Sequence, residues 1–112
     1  MAAAYVPERA DVVWLTFDPQ AGHEQAGRAR AVVISPRAYN EKVGLALLCP
    51  LTTLAKRYPF EVAIPEGLPI NGVVLSDQLK SLDWRARRAE YICELPRLAM
   101  VDILAKIRTL VA

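Results

Sequence analysis

Polar residues of the kinds that bind and cut a phosphodiester surround the start of an apolar segment. Glu24, Gln25, Arg28 and Arg30 lead directly into the run AVVIS, which ends at Ser35. A carboxylate can accept a proton, and a guanidinium binds phosphate oxygens in pairs while keeping its charge. This combination suits a reaction in which the 2′-hydroxyl of RNA attacks the neighbouring phosphate. Glu24 is the first candidate for the proton acceptor and His23 the second, although both arginines could simply pair with Glu24 at the surface.

A second polar group, Thr52-Thr53, stands at the end of another apolar run. A threonine hydroxyl can help to stabilise charge on phosphoryl oxygens. The bland alternative is an ordinary strand end, where threonine is common. The sequence therefore offers two segments that could share one site, provided that the fold brings them together.

Composition indicates one folded domain covering residues 1–112, because 54% of the residues are apolar and 23% are charged. No apolar run approaches the roughly 20 residues that span a bilayer, and no signal peptide is visible, so a cytoplasmic location is expected. Cys49 and Cys93 lie in apolar stretches at a spacing that fits no metal motif. The single histidine, His23, excludes a two-histidine ribonuclease mechanism within one chain. We expect neither a metal nor another cofactor.

Net charge is only +2, but cations cluster in two segments. If these segments meet in space, they form a basic groove that attracts a phosphate backbone. A solvated edge strand is the simpler interpretation of charge alone. The clustered cations are Lys56, Arg57, Lys80, Arg85, Arg87 and Arg88.

Short apolar segments punctuated by proline and glycine predict strands, and the C-terminal tail predicts a helix. Apolar residues recur at three- and four-residue spacing from Met100 to Val111, with Pro96 in the first turn. Six strands and this helix indicate a mainly β fold of the α+β kind, a small, bent antiparallel barrel with a helical cover. Short helices at Arg37–Glu41 and Ser81–Arg88 are two further candidates. The predicted strands are Asp11–Phe17, Arg30–Ser35, Leu45–Cys49, Phe60–Ile64, Gly72–Ser76 and Ala89–Cys93.

Six segments, in order and at the expected intervals, resemble the MazF (PemK-like) toxin family. They are YVPERADVVWLTFDP, GHEQAG, RAVVISPRAYN, PLTT, KRYPFEV and DQLKSLDWRAR, and they run from Tyr5 to Arg87. The resemblance implies a sequence-specific, metal-independent endoribonuclease of a bacterial toxin–antitoxin pair with an SH3-like barrel fold. It also implies a two-fold homodimer with single-stranded RNA or mRNA in a groove at the dimer interface. The implied partner is a MazE-like antitoxin whose acidic, disordered tail occupies that groove.

The resemblance assigns Thr52 to the second catalytic position, but the catalytic arginine of the family aligns with Ala29, and Arg30 replaces the family's proline. The loop could shift to bring Arg28 or Arg30 to the phosphate, both could enter, or the nuclease could be weakened. We predict that Arg28 takes the role, with Arg30 as second choice. Glu24 completes the predicted catalytic set. The predicted RNA-binding residues are Gln25, Thr53, Lys56, Arg57, Asp77, Gln78, Lys80, Arg85 and Arg87.

The aromatic residues and the apolar content bear on partners. Trp14 lies in an apolar run and is expected in the core or an interface, whereas Trp84, between Asp83 and Arg85, is expected on the RNA or antitoxin surface. Because so short a chain cannot hide this much apolar surface, homodimerisation is expected. Because Ala29 replaces the family's arginine, two alternatives stay open. One is a protein-binding toxin similar to the CcdB-like toxins, which act on DNA gyrase, and the other is an RNA-binding barrel that does not cleave.

Overall fold

Seven strands and two helices make up the part of the chain that the computed structural model describes, residues 4–16 and 28–112. The predicted C-terminal helix and the short helix after Pro36 are both present, and strands lie close to all six predicted positions. The elements are β1 Asp11–Thr16, β2 Arg28–Val33, α1 Arg37–Val43, β3 Ala46–Thr52, β4 Glu61–Ala63, β5 Val73–Leu75, β6 Lys80–Leu82, β7 Glu90–Glu94 and α2 Arg97–Val111.

The strands form one antiparallel sheet in the order β4-β5-β3-β2-β1-β7, with β6 pairing β3. One edge of β3 is shared, because its first half pairs β6 and its last two residues pair β5. The mainly β prediction is confirmed. Among the described residues no pairing joins β4 to β7, so the sheet is bent but not closed into a full barrel.

Two apolar clusters hold the sheet, one on each face. Side chains alternate between the faces of a strand, so Val32 joins one cluster while Ala31 and Val33 join the other. The first cluster is covered by α2, whose buried residues are Ala99, Met100, Ile103 and Ile107. Neither helix of the described residues is long and apolar enough to cross a membrane.

The helix predicted for Ser81–Arg88 is wrong: the chain forms β6 and then a compact turn. The Asp83 carboxylate accepts the N–H groups of Arg85 and Ala86 at 3.1 and 2.9 Å. Arg88, with φ of 57°, then adopts the left-handed conformation that a continuing helix cannot contain. The turn places Trp84 in the second cluster, 3% exposed, where its Nε1 donates to the Asn40 carbonyl at 3.0 Å.

Candidate functional site

Thr52 lies at the last position of β3, where it pairs with Val73 of β5. Its Oγ1 accepts the N–H of Leu54 at 3.1 Å, which orients the side chain. A hydroxyl has one donor and two acceptor positions, so the Thr52 proton stays available for an incoming oxygen.

Gly72 brings β5 close behind Thr52. Its φ is +108°, and a Cβ at this position would lie 2.2 Å from the Thr52 carbonyl oxygen. Only glycine fits both the left-handed conformation and the close approach. The backbone of Thr52 therefore packs directly against Gly72, and a residue with a side chain does not fit at position 72.

A cavity of about 200 Å³ opens in front of Thr52. Its polar lining combines a hydroxyl, an ammonium, a phenol, a carboxylate and an amide, which can hydrogen-bond phosphate oxygens, a ribose hydroxyl or a base edge. Two apolar side chains complete the wall. The lining residues are Thr52, Leu54, Lys56, Tyr58, Glu61, Leu75 and Gln78.

The loop that follows Thr52 is fixed by Glu61, the first residue of β4. The two carboxylate oxygens of Glu61 accept the N–H groups of Lys56 and Arg57, each at 2.8 Å. Glu61 N in turn donates to the Tyr58 carbonyl at 3.1 Å, which closes the loop. Arg57 has φ of 60°, an uncommon conformation for a residue with a side chain.

Tyr58 connects this loop to the segment after β5. Its hydroxyl donates to Asp77 Oδ1 at 2.7 Å, and this bond to a carboxylate raises the pKa of Tyr58 to about 12. The phenol therefore stays protonated at neutral pH. Gln78, the residue after Asp77, lines the cavity, and its backbone N–H donates to the Leu75 carbonyl at 3.1 Å. The sequence-predicted residues Thr52, Lys56 and Gln78 are thus brought to one cavity.

The start of β2 carries Arg28 and Arg30 on the opposite face of the sheet from Ala29. The β1–β2 register is continuous from Val12↔Val32 to Thr16↔Arg28. Ala31 and Pro50 are paired across β2 and β3, so their side chains lie on the same face. Ala29 and Thr52 each lie two residues further along their own strand, so they share that face as well.

Both arginines have partners on their own face. Arg28 Nη2 lies 2.7 Å from Glu90 Oε1, and the same guanidinium contacts Thr16 Oγ1 at 3.4 Å. Arg30 stacks over Trp14 with its Cζ 5.8 Å from the ring centroid. The structure therefore does not bring either guanidinium to Thr52.

The other predicted residues are distributed around these two places. Lys80 pairs with Leu48 across β6 and β3, which puts it on the Thr52 face of the sheet. Arg85 stacks on Trp84, with Cζ 4.8 Å from the ring, and Arg87 Nη1 donates to the Thr16 carbonyl at 3.0 Å. Thr53 and Arg57 are exposed in the loop after β3. Glu24, Gln25 and His23 lie outside the described residues.

Sequence reasoning missed the contributions of Tyr58 and Glu61, although both lie in the segment KRYPFEV. The prediction that Trp84 lies on a binding surface is wrong, because Trp84 is buried; Trp14 is 42% exposed, so it is not in the core, and its place in an interface stays a prediction. The reason is that the turn at Asp83 folds Trp84 inward, while Trp14 lies on the face of β1 that carries Arg30. That Trp14 and Arg30 are paired in the sheet follows from the β1–β2 register, which the sequence does not give.

Comparisons with known proteins show the family and a matching fold. The PemK-like, MazF-like toxins of type II toxin–antitoxin systems match residues 8–111. The endoribonuclease toxin MazF of Escherichia coli (strain K12) is 52% identical over 89 residues, which cover 80% of this chain and 79% of the relative. The crystal structure of MazF (Form-I) from Deinococcus radiodurans superposes with a TM-score of 0.87 at 51% identity, covering 96% of this chain and 97% of that one. A MazE–MazF crystal structure (Form-II) from the same organism gives a TM-score of 0.86 at 45% identity, covering 96% of both chains.

Proposed function

The chain belongs to the PemK-like, MazF-like toxin family of type II toxin–antitoxin systems, and we propose that it is an endoribonuclease toxin. Its substrate is single-stranded RNA, mRNA above all, cut within a short sequence context so that translation and growth stop. The cytoplasm, where mRNA is translated, is the proposed place of action.

The proposed reaction is a transphosphorylation that needs neither metal nor other cofactor. The 2′-oxygen forms a bond to phosphorus while the bond from phosphorus to the 5′-oxygen breaks. The 2′-hydroxyl proton goes to a protein base, and a proton is delivered to the departing 5′-oxygen. The products are a 2′,3′-cyclic phosphate and a 5′-hydroxyl. Glu24 is the proposed base, on the sequence prediction alone.

The observation that carries this proposal is the cavity at Thr52. A hydroxyl whose proton is available stands at its rim, and Lys56 and Gln78 line the same space. Thr52 is proposed to donate to a non-bridging phosphate oxygen, where hydrogen bonds strengthen as charge develops. Arg28 and Arg30 stay predictions for the accompanying cation.

The RNA path is proposed to run from this cavity along the basic loop. Thr53 and Arg57 would contact the RNA backbone. Asp77 and Gln78 would hydrogen-bond base edges, as polar side chains do when they recognise splayed single-stranded bases. The remaining proposed RNA contacts are Gln25, Lys80, Arg85 and Arg87.

Homodimerisation and an acidic antitoxin complete the proposal. The described surface exposes large apolar side chains, Leu98 at 83% among them, which supports burial against a second copy. A sequence pI near 8.7 suits both an acidic antitoxin tail and an RNA backbone. The solved MazE–MazF complexes of Deinococcus radiodurans make a MazE-like protein the natural candidate.

The test is digestion of an RNA oligonucleotide by purified protein in excess chelator. We expect cleavage that leaves a cyclic phosphate and a 5′-hydroxyl, and no cleavage where the 2′-hydroxyl at the cut site is replaced by hydrogen. Thr52→Val, which removes only the hydroxyl, is expected to lower the rate about 100-fold or more. Cleavage of the 2′-deoxy substrate, or loss of activity in chelator, would contradict the mechanism.

An RNA-binding toxin that does not cleave is the second candidate, and one observation favours it. The resemblance aligns Ala29 with the family's catalytic arginine, and in the structure the neighbouring Arg28 is paired with Glu90. Such a protein would bind RNA with strong salt dependence and leave it intact. A protein that neither binds nor cuts RNA would instead point to the CcdB-like alternative.

A further inference from the structure

Of the residues that the structure describes, Lys56 is the cation that lines the Thr52 cavity. Both residues line the same space of about 200 Å³. No carboxylate of the described residues lies within 4.0 Å of the Lys56 ammonium, whereas Arg28 is paired with Glu90. A lysine whose ammonium has no carboxylate partner, in the same cavity as a hydroxyl whose proton is available, offers two donors to one phosphate group.

The backbone of Lys56 is fixed by a residue that has no other evident task. Glu61 accepts the N–H groups of Lys56 and Arg57 at 2.8 Å each, one on each carboxylate oxygen. Two charge-assisted hydrogen bonds to consecutive amides define the path of the loop. They also hold Arg57 in its left-handed conformation, which is unfavourable for a residue with a side chain.

Without its hydrogen bonds to the loop amides, the negative charge of Glu61 would be unfavourable at a phosphate site. It lines the cavity with Thr52, and a carboxylate close to an RNA phosphate repels it. Because both of its oxygens accept backbone N–H groups, its charge faces the loop amides. A negative side chain at a phosphate site is understandable if the loop geometry depends on it.

We infer that Lys56 binds the scissile phosphate beside the Thr52 hydroxyl and that Glu61 is a positioning residue that sets the backbone of Lys56. This inference rests on the proposed endoribonuclease function and gives it a cation different from Arg28 and Arg30. Lysine acts as a point charge on the non-bridging oxygens, so no proton transfer is assigned to it.

The first test compares Lys56→Ala and Lys56→Arg with Lys42→Ala, a matched change in α1. Single-turnover cleavage of an RNA oligonucleotide is measured with enzyme in excess. We expect Lys56→Ala to lose about 100-fold in rate, Lys56→Arg to stay within about tenfold of the wild type, and Lys42→Ala to cleave like the wild type. Binding of the 2′-deoxy oligonucleotide by Lys56→Ala should show a salt slope smaller by about 0.7, the value for one contact to a single strand.

The second test is a double-mutant cycle between Lys56→Ala and Glu61→Gln. Glutamine has one acceptor oxygen where two are used, so we expect Glu61→Gln to lower kcat at least tenfold with a smaller change in KM. In the Lys56→Ala background the same change should have little further effect, because its target is already gone. A merely structural role of Glu61 would give additive losses. Circular dichroism checks folding, and if Glu61→Gln does not fold, the two Lys56 variants decide the cation alone.

Two results would overturn the inference in distinguishable ways. If the wild type cleaves RNA, Lys56→Ala cleaves equally fast and Arg28→Ala or Arg30→Ala is inactive, the cation is an arginine and the proposed function stands. If the wild type does not cleave RNA, the proposed function fails and this inference fails with it.

Discussion

Arg28 and Glu90 form an ion pair that spans β1. The Nη2–Oε1 distance is 2.7 Å. Nη1 and Nη2 of Arg28 also donate to the Arg88 carbonyl, at 3.4 and 3.5 Å. The Arg28 side chain is 24% exposed and that of Glu90 70%, so the pair contributes at most about 1 kcal/mol to stability. The ion pair matters because it fixes the direction of the Arg28 side chain. The guanidinium points toward β7, whereas Thr52 is on β3, at the other side of β2.

An arginine placed at position 29 would lie on the same face of the sheet as Thr52. We expect Ala29→Arg to raise single-turnover cleavage of RNA about tenfold or more, since a guanidinium there adds a second cation to the phosphate site. Ala38→Arg adds the same charge to α1 at the far end of β2 and serves as the control for general attraction of RNA. Equal rates for the two variants would show that no phosphate lies within reach of position 29.

The contact between Gly72 and Thr52 links stability to the site. We expect Gly72→Ala to destabilise the protein by at least about 1 kcal/mol more than Gly67→Ala, and to slow RNA cleavage. Both glycines have positive φ, 108° and 93°, but a Cβ on Gly67 meets nothing within 4 Å, whereas a Cβ on Gly72 meets the Thr52 carbonyl. Gly67→Ala isolates the conformational cost, about 1 kcal/mol.

Urea unfolding followed by circular dichroism, with cleavage measured below the transition, separates the two effects of Gly72→Ala. The interpretation fails if the two alanine variants have the same stability and the same activity.

The sequence was sufficient for the elements with strong periodicity. The run DVVWLT predicts β1 and the apolar spacing after Pro96 predicts α2, because each buries a face of its own. The strand β6 was missed because Lys80–Leu82 is three residues long and two of them are exposed. Such a strand exists only because the edge of β3 is there to receive it.

The candidate site also contains residues that the sequence could predict and residues that it could not. Thr52, Lys56 and Gln78, which line one cavity, could be predicted as candidate site residues because they belong to recognisable segments. The proposed positioning role of Glu61 could not be predicted, since it depends on a loop that closes so that two amides reach one carboxylate. The direction of Arg28 was equally hidden, because Glu90 is 62 residues away along the chain.

The buried side chain of Asn40 joins the N-terminal segment to α1. Its Nδ2 donates to the carbonyls of Pro7 and Ser35 at 2.8 and 3.1 Å, and its Oδ1 accepts the Ser35 hydroxyl. We expect Asn40→Asp to destabilise the protein by about 3 kcal/mol at pH 7, because a carboxylate oxygen would face two carbonyl oxygens without water. Denaturant unfolding measures the change, and the exposed Asn71→Asp should stay within about 0.5 kcal/mol of the wild type.

Protonation of the new carboxyl would restore one donor, so the deficit of Asn40→Asp should shrink at acidic pH. A deficit below about 1 kcal/mol at pH 7 would mean that the N-terminal segment moves away from α1 at little cost.

The Cys49 thiol makes the folded state sensitive to alkali. It is fully buried in the cluster covered by α2, and this burial raises its pKa from 9.0 to about 12. Because the folded chain holds this proton more tightly than the unfolded chain, the thiol contributes its full stabilisation below pH 9 and loses it as the pH rises toward 12. We expect the free energy of unfolding to fall with pH above 9, and Cys49→Ala to reduce that slope by up to about 1.4 kcal/mol per pH unit. Urea unfolding at pH 8, 9, 10 and 11 measures it. Burial also raises the pKa of the half-buried Cys93 thiol, so Cys93→Ala should reduce the slope as well, but less than Cys49→Ala. Equal slopes for wild type and Cys49→Ala would mean that the Cys49 thiol ionises inside the fold without penalty.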